Sequence, residues 1–231
     1  MRKPLLYCLG LLMAVVIVGA FAWAPLAKGF LGQSSRILFF HVPMAWVSFL
    51  AFVAAGIWSV VYLARGRKVG HDRAALASIE IGLVFCVLAT VTGAMWAKTM
   101  WGAYWNWDPR QVSITFALLY YAAYLALRSS VSDPETERRL AAAYAALGLV
   151  IAPFLFFVAP RLVYSLHPAP VINASGKVDM DQKMLTVLAA SAVAFTALFF
   201  WMLDLRRRVL RLDDAAELAE ETAADRSVAR A

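Results

Sequence analysis

The chain has 231 residues, of which 62% are hydrophobic and only 16% charged, with a formal net charge of +7. Soluble domains run at about 45–50% apolar and roughly a quarter charged, so an ordinary water-soluble enzyme and a disordered chain are both excluded. The only cysteines, Cys8 and Cys86, lie far apart in apolar blocks, which removes a disulfide scaffold, a zinc site, a CxxC pair and a CxxCH haem-attachment site.

In chain order, six stretches are long and apolar enough, or nearly so, to cross a hydrocarbon core that needs roughly 20 residues of helix. They are Leu5–Ala27, Ile37–Ala64, Leu76–Ala97, Val112–Leu127, Leu140–Ala159 and Leu185–Leu205. The fourth reaches a full span only if Pro109–Gln111 form its first turn. Backbone groups in lipid must be satisfied within their own segment, so each run is helical. The expectation is an all-α, polytopic membrane protein: a bundle of six transmembrane helices. Arg2, Lys3 and the Ala20-Phe21-Ala22 sequence resemble a signal peptide, but the apolar core is too long for one and Pro25 follows it. The first block therefore reads as an uncleaved helix.

Six spans put both termini on one side. Lys and Arg number 15 on that side and 7 on the other. The positive-inside rule then places both termini in the cytoplasm and the segments 28–36, 98–111 and 160–184 outside. The basic residues thus act as topology signals, and no nucleic-acid partner is expected. After Leu205 the composition changes to Arg206, Arg207, Arg208 and Arg211, then the acidic run Asp213–Glu221. Residues 1–205 read as the membrane domain and 206–231 as a charged, cytoplasmic tail, helical or frayed. Glu80 and Asp204 lie near the cytoplasmic ends of their spans, leaving no charge at mid-depth of the kind ion-coupled transporters use.

The unusual residues gather on the outer side. Met100-Trp101-Gly102-Ala103-Tyr104-Trp105-Asn106-Trp107-Asp108-Pro109-Arg110 holds three of the eight tryptophans, with Trp96 just before it. In a helix Trp101, Tyr104 and Trp105 would share a face. An interfacial belt would spread such rings over all helix ends; gathered in one loop, they suit a large planar ligand such as a porphyrin or a quinone. Asp108-Pro109-Arg110-Gln111 also reads as a capping box opening the fourth helix, with proline at the first helical position.

Two of the three histidines share this side. His41 stands in Phe39-Phe40-His41-Val42-Pro43 and His167 in Leu166-His167-Pro168, whereas His71 reads as a solvated residue of a basic cytoplasmic loop. Alone, either outer histidine is an ordinary interfacial hydrogen-bonder; beside an aromatic platform, both are candidate ligands of a haem iron. Arg36 and Arg110 lie on the same side as candidate partners of haem propionates, or as simple headgroup anchors. In the segment 160–184, Asn173-Ala174-Ser175-Gly176 reads as a turn and Val178–Lys183 as a short surface helix, together a lid or docking loop.

The segment Trp101-Gly102-Ala103-Tyr104-Trp105-Asn106-Trp107-Asp108 resembles the tryptophan-rich WWD segment of the haem-handling proteins of cytochrome c biogenesis. The order of features agrees: a histidine at the second span, the tryptophan loop between the third and fourth, a histidine between the fifth and sixth. Arg36-Ile37-Leu38-Phe39-Phe40-His41-Val42-Pro43 and Leu166-His167-Pro168 are further similar to the small six-span family, haem exporter protein C. The resemblance spans roughly residues 30–205. It implies haem b bound at the periplasmic face of the cytoplasmic membrane, with His41 and His167 as ligands and Arg36 and Arg110 near the haem edge. Trp101, Trp105, Trp107 and Asp108 would hold haem and meet a periplasmic haem chaperone. An ABC transporter pair and a small single-span subunit are the implied membrane partners. Two positions depart from the pattern: Tyr104 stands where a tryptophan is expected, and Asp108-Pro109 is closer to the synthases that attach haem to apocytochrome c. Haem delivery, a synthase subunit and, last, an electron-transfer cytochrome b are the functions these features leave open.

Overall fold

The structure, a computed structural model, describes residues 3–167 and 180–228. Six α-helices follow one another among them: α1 (Lys3–Val18), α2 (Leu38–Ala64), α3 (Val69–Trp101), α4 (Pro109–Ser130), α5 (Pro134–Pro153) and α6 (Gln182–Val228). A π-helical turn over Gly19–Trp23 continues α1, and another over Phe154–Val158 continues α5 beyond Pro153. Each of the six is long and apolar enough to cross a membrane. The protein is therefore the all-α, six-span membrane protein that composition demands.

Short turns join α2 to α3, α3 to α4 and α4 to α5, so these spans run alternately up and down. The antiparallel pair α2 and α3 forms the centre. On one flank Val47 and Ala51 of α2 and Ala77, Ile81 and Phe85 of α3 meet Phe195, Phe199 and Leu203 of α6, with α1 packed outside against α6. On the other flank, Phe52 and Ala55 of α2 and Ile79 and Cys86 of α3 meet Tyr121 and Tyr124 of α4 and Ala141, Ala145 and Ala152 of α5. The Phe52 and Tyr121 rings stack with centroids 3.6 Å apart. Small buried residues at these contacts let the backbones approach, which is where helix association in lipid gains its packing energy.

Several helices outrun the apolar stretches that predict them. A hydrophobic run marks the depth of lipid, whereas a helix continues until a residue breaks its hydrogen-bond ladder. The third span, expected over Leu76–Ala97, runs from Val69 to Trp101 because nothing breaks it before Gly66 and Gly102, both at positive φ. His71 consequently lies in the first turns of α3 and not in a solvated loop; its ring stacks on Trp58 with centroids 5.7 Å apart. The fourth span does begin at Pro109.

The charged segment after Leu205 continues α6 without a break. Its residues are mostly good helix formers, and its first turns are tied to α3: the Arg206 guanidinium donates to both carboxylate oxygens of Glu80, at 2.6 and 2.8 Å, and Arg73 reaches Asp214. At the same end Arg128 of α4 grips the buried Asp72 of α3 through two hydrogen bonds, at 2.7 and 3.0 Å, and Glu137 of α5 at 2.8 Å. The Asn173–Gly176 turn and Pro168 lie outside the described residues, as does part of Val178–Lys183. Of that expected surface helix, Gln182 and Lys183 instead open α6, because the Asp181 carboxylate accepts from the N–H groups of Lys183 and Met184.

Candidate functional site

The alternation of the helices brings the start of α2, the end of α3, the start of α4 and the segment after α5 to one end of the bundle. His41, the tryptophan segment, Arg110 and His167 thus share that end, as the span count requires.

Local chemistry shapes the tryptophan segment. Gly102 adopts the left-handed conformation (φ 81°) and its N–H caps the Lys98 carbonyl, so α3 ends at Trp101. Trp101, Tyr104 and Trp105 therefore do not share a helical face; Tyr104 and Trp105 belong to a turn beyond it. Lys98 Nζ donates to the Gly102 carbonyl and Asn106 Nδ2 to the Ala103 carbonyl, which closes the turn on itself. The rings meet edge to face rather than as one flat sheet: Trp96 on Trp101 at 5.1 Å and 81°, Trp105 on Trp107 at 5.8 Å and 82°. Trp107, 77% exposed and itself at positive φ, projects from this end beside exposed Tyr104.

Asp108 is the hub. Its side chain is fully buried. Oδ1 accepts the N–H of Arg110 at 2.9 Å, capping α4. The same oxygen lies 2.7 Å from Nδ1 of His167, while Oδ2 accepts the Ser165 hydroxyl at 2.9 Å and the Leu166 N–H at 2.7 Å. One carboxylate thus joins the start of α4 to the segment after α5. The expected capping box is corrected in one respect. Gln111 does not reach back to the Asp108 N–H. It accepts from the Asn106 N–H at 2.8 Å and donates to the Tyr104 carbonyl at 3.1 Å, since bracing the turn satisfies both ends of its amide.

The ionisation states follow. Burial works against a charged Asp108, but the Arg110 N–H, His167, the Leu166 N–H and the Ser165 hydroxyl together hold its carboxyl below the ordinary range. Burial pushes the His167 imidazole below its ordinary pKa, outweighing the pull of Asp108, and Arg110 adds to the lowering. A neutral ring facing a carboxylate carries its proton on Nδ1. Among the described residues nothing then occupies its Nε2 lone pair. The ring is held in place by Trp96, stacked at 6.0 Å, and Trp101, edge-on at 4.9 Å.

His41 is oriented by a parallel device. Its Nδ1 lies 3.0 Å from Thr92 Oγ1, whose own hydrogen is directed at the carbonyls of Leu88 and Ala89. With its hydrogen so engaged the hydroxyl accepts, and the Ala89 carbonyl is a second acceptor near the ring; a proton on Nδ1 satisfies the Thr92 contact and leaves Nε2 as the acceptor nitrogen. Gly93 makes room for the ring: a Cβ there would come within 2.9 Å of His41 Cε1. Buried Ser191 of α6 donates to the Phe39 carbonyl, fixing the turn that carries His41. Sequence reasoning missed Thr92 and Gly93; the signal was a threonine–glycine pair inside an otherwise apolar span, at the end that bears the histidines.

The two arginines differ. The Arg36 guanidinium donates to the Ala20 carbonyl and to Gln33 Oε1 and lies over the Phe21 ring, so it staples α1 to the start of α2. Arg110 is half-buried, close enough to Arg161 and Asp108 to feel their charges and to act on both imidazoles, and among the described residues no side chain hydrogen-bonds its guanidinium. Two imidazoles whose Nε2 atoms nothing among the described residues occupies, indoles against His167 and a half-buried guanidinium with no hydrogen-bonded carboxylate form a donor set that fits an iron porphyrin with acidic side arms.

Residues 1–220 match the family model described as heme exporter protein C. A relative of that description from Bradyrhizobium diazoefficiens is 34% identical over 182 residues, covering 78% of this chain and 68% of its own length. Another, from Haemophilus influenzae, is 33% identical over 206 residues, 89% of this chain and 82% of its own. A third, from Paracoccus denitrificans, is 30% identical over 226 residues, 93% of each chain.

Proposed function

Because the chain belongs to the haem exporter protein C family, a haem-handling family of cytochrome c maturation, we propose that it takes haem b as cargo at the tryptophan-bearing end of the bundle. That end faces the periplasm in this reading, which rests on the excess of Lys and Arg at the opposite end. From there haem passes to a periplasmic haem chaperone during cytochrome c biogenesis.

One observation carries the proposal: the Asp108–His167 pair flanked by Trp96 and Trp101, with His41 presented by Thr92 at the same end. His41 and His167 offer their Nε2 atoms to the iron. Trp101, Tyr104, Trp105 and Trp107 supply aromatic surface to the porphyrin, and exposed Trp107 and Tyr104 supply contact to the chaperone. Arg110 pairs with one propionate. Arg36 serves a second propionate only by giving up the Ala20 carbonyl, so Arg110 is the stronger of the two. Bound haem supplies an iron able to exchange ligands; the chain orients the imidazoles and shields them from water. Residues 1–205 are the haem-handling unit and residues 206–231 a cytoplasmic tail. An ABC transporter pair and a small single-span subunit complete the assembly in the bacterial inner membrane.

The visible spectrum of detergent-purified protein supplied with haem tests this, beside His41→Ala and His167→Ala, oxidised and reduced. A Soret band with sharp reduced α and β bands, weakened or shifted in each variant, is expected. No Soret band in the wild type, or unchanged spectra in both variants, overturns the ligand assignment. The Asp108-Pro109 pair favours a second reading, a synthase subunit attaching haem to apocytochrome c. Retention of a CxxCH peptide, in place of a chaperone, on the haem-loaded protein would select it.

A further inference from the structure

At the opposite end of the bundle, Arg73 and Gly70 of α3 and Arg207, Arg208, Arg211 and Asp204 of α6 enclose a cavity of about 170 Å³. Arg73 pairs with Asp214 and Arg208 with Asp204, the latter at 2.7 Å. Arg207 lies over the Trp58 ring at 5.8 Å, and Arg211 is exposed; among the described residues no carboxylate pairs with either. Four guanidiniums therefore converge on one small space against two carboxylates. Such a set repels itself unless an anion joins it, and guanidinium forks match the oxygens of phosphate. The start of α3, where Gly70 has no side chain and, among the described residues, no side chain caps the N–H groups ahead of His71, adds donors on the same wall.

We propose that this cavity is a phosphate site occupied by the headgroup of an anionic membrane lipid. The arginines follow directly on the apolar part of α6 and alternate with exposed Leu205, Val209 and Leu212, so the cavity sits where lipid meets water. A tryptophan under one of the guanidiniums is characteristic of that depth. The same two helices also form a mainly apolar groove lined by Ile81, Val84, Trp201 and Met202 together with the Glu80–Arg206 ion pair, wide enough in apolar surface to take an acyl chain. Basic pockets between transmembrane helices bind anionic headgroups through these contacts. The site is independent of the haem reading and uses none of its residues.

Native mass spectrometry of the purified full chain in phosphatidylglycerol and phosphatidylcholine mixtures tests it. One phosphatidylglycerol retained per chain is expected, with affinity falling roughly thirtyfold in Arg207→Gln/Arg211→Gln, at about 1 kcal/mol per arginine. Arg65→Gln/Arg139→Gln, which removes two exposed charges at the same end but outside the cavity, is expected to bind as the wild type does. Equal loss in both double variants would reduce the effect to the diffuse field of this end and overturn the site. Inorganic phosphate alone is expected to leave thermal unfolding unchanged. If phosphate stabilises the protein as well as the lipid does, and only in the presence of Arg207 and Arg211, the lipid assignment is overturned in favour of a soluble anion.

Discussion

Asp108 and His167 lie 59 residues apart in sequence and 2.7 Å apart in space. The carboxylate that caps α4 also holds the imidazole, so the geometry of a helix start is transmitted to a candidate iron ligand. Groups that hydrogen-bond the far nitrogen of a ligating histidine fix its tautomer and raise its basicity, and losing them costs about 10–100-fold in metal affinity.

Asp108→Asn keeps a helix-capping side chain but removes the charge facing Nδ1. Haem affinity is expected to fall by about 10–100-fold, with a shifted reduced α band. Thermal stability should fall less than in Asp108→Ala, which also forfeits a cap of about 1 kcal/mol. A haem titration of both variants decides; unchanged affinity in Asp108→Asn would falsify the positioning role.

Thr92→Val removes the acceptor from His41 Nδ1 while keeping the shape of the side chain. The expected result is an altered Soret and α-band spectrum with affinity about tenfold lower. Thr92→Ser, which restores a hydroxyl, should recover the wild-type spectrum. If valine and serine behave alike, Thr92 acts through packing only.

Gly93→Ala separates ligation from folding. The added methyl meets His41 Cε1 at 2.9 Å and must displace the ring. Alanine is intrinsically better than glycine in a helix by up to about 1 kcal/mol. Circular dichroism should therefore show intact helix while the His41-dependent part of the haem spectrum is lost. A wild-type spectrum from this variant would mean that the His41 ring has a second, equally competent position.

At the other end, Arg128→Gln leaves Asp72 a buried charge without its main partner. Destabilisation of about 3–5 kcal/mol is expected, read as a lower unfolding temperature in detergent. Asp72→Asn/Arg128→Gln should lose less than the two single variants summed, because Asp72 is no longer left as a buried lone charge, although the more exposed Glu137 still loses its partner. The haem spectrum of the folded variant should be unchanged, since the pair lies at the far end of the bundle.

The length and spacing of apolar runs alone determined that the chain crosses a membrane six times, because water is absent there and helix is the only backbone solution. Alternation of the spans then placed His41, the tryptophan segment and His167 at one end, and Pro109 marked the start of the fourth helix. These features are local or follow from counting. Tertiary structure decided the rest: that Asp108 meets His167, that Thr92 orients His41, that Gln111 braces the turn instead of completing a capping box, and that the indoles meet edge to face. It also carried α6 through the charged segment by pairing Arg206 with Glu80. Each of these depends on which groups from distant segments satisfy one another once buried, and hydrogen-bonding capacity left open at one position in sequence is filled by a partner that only packing brings near.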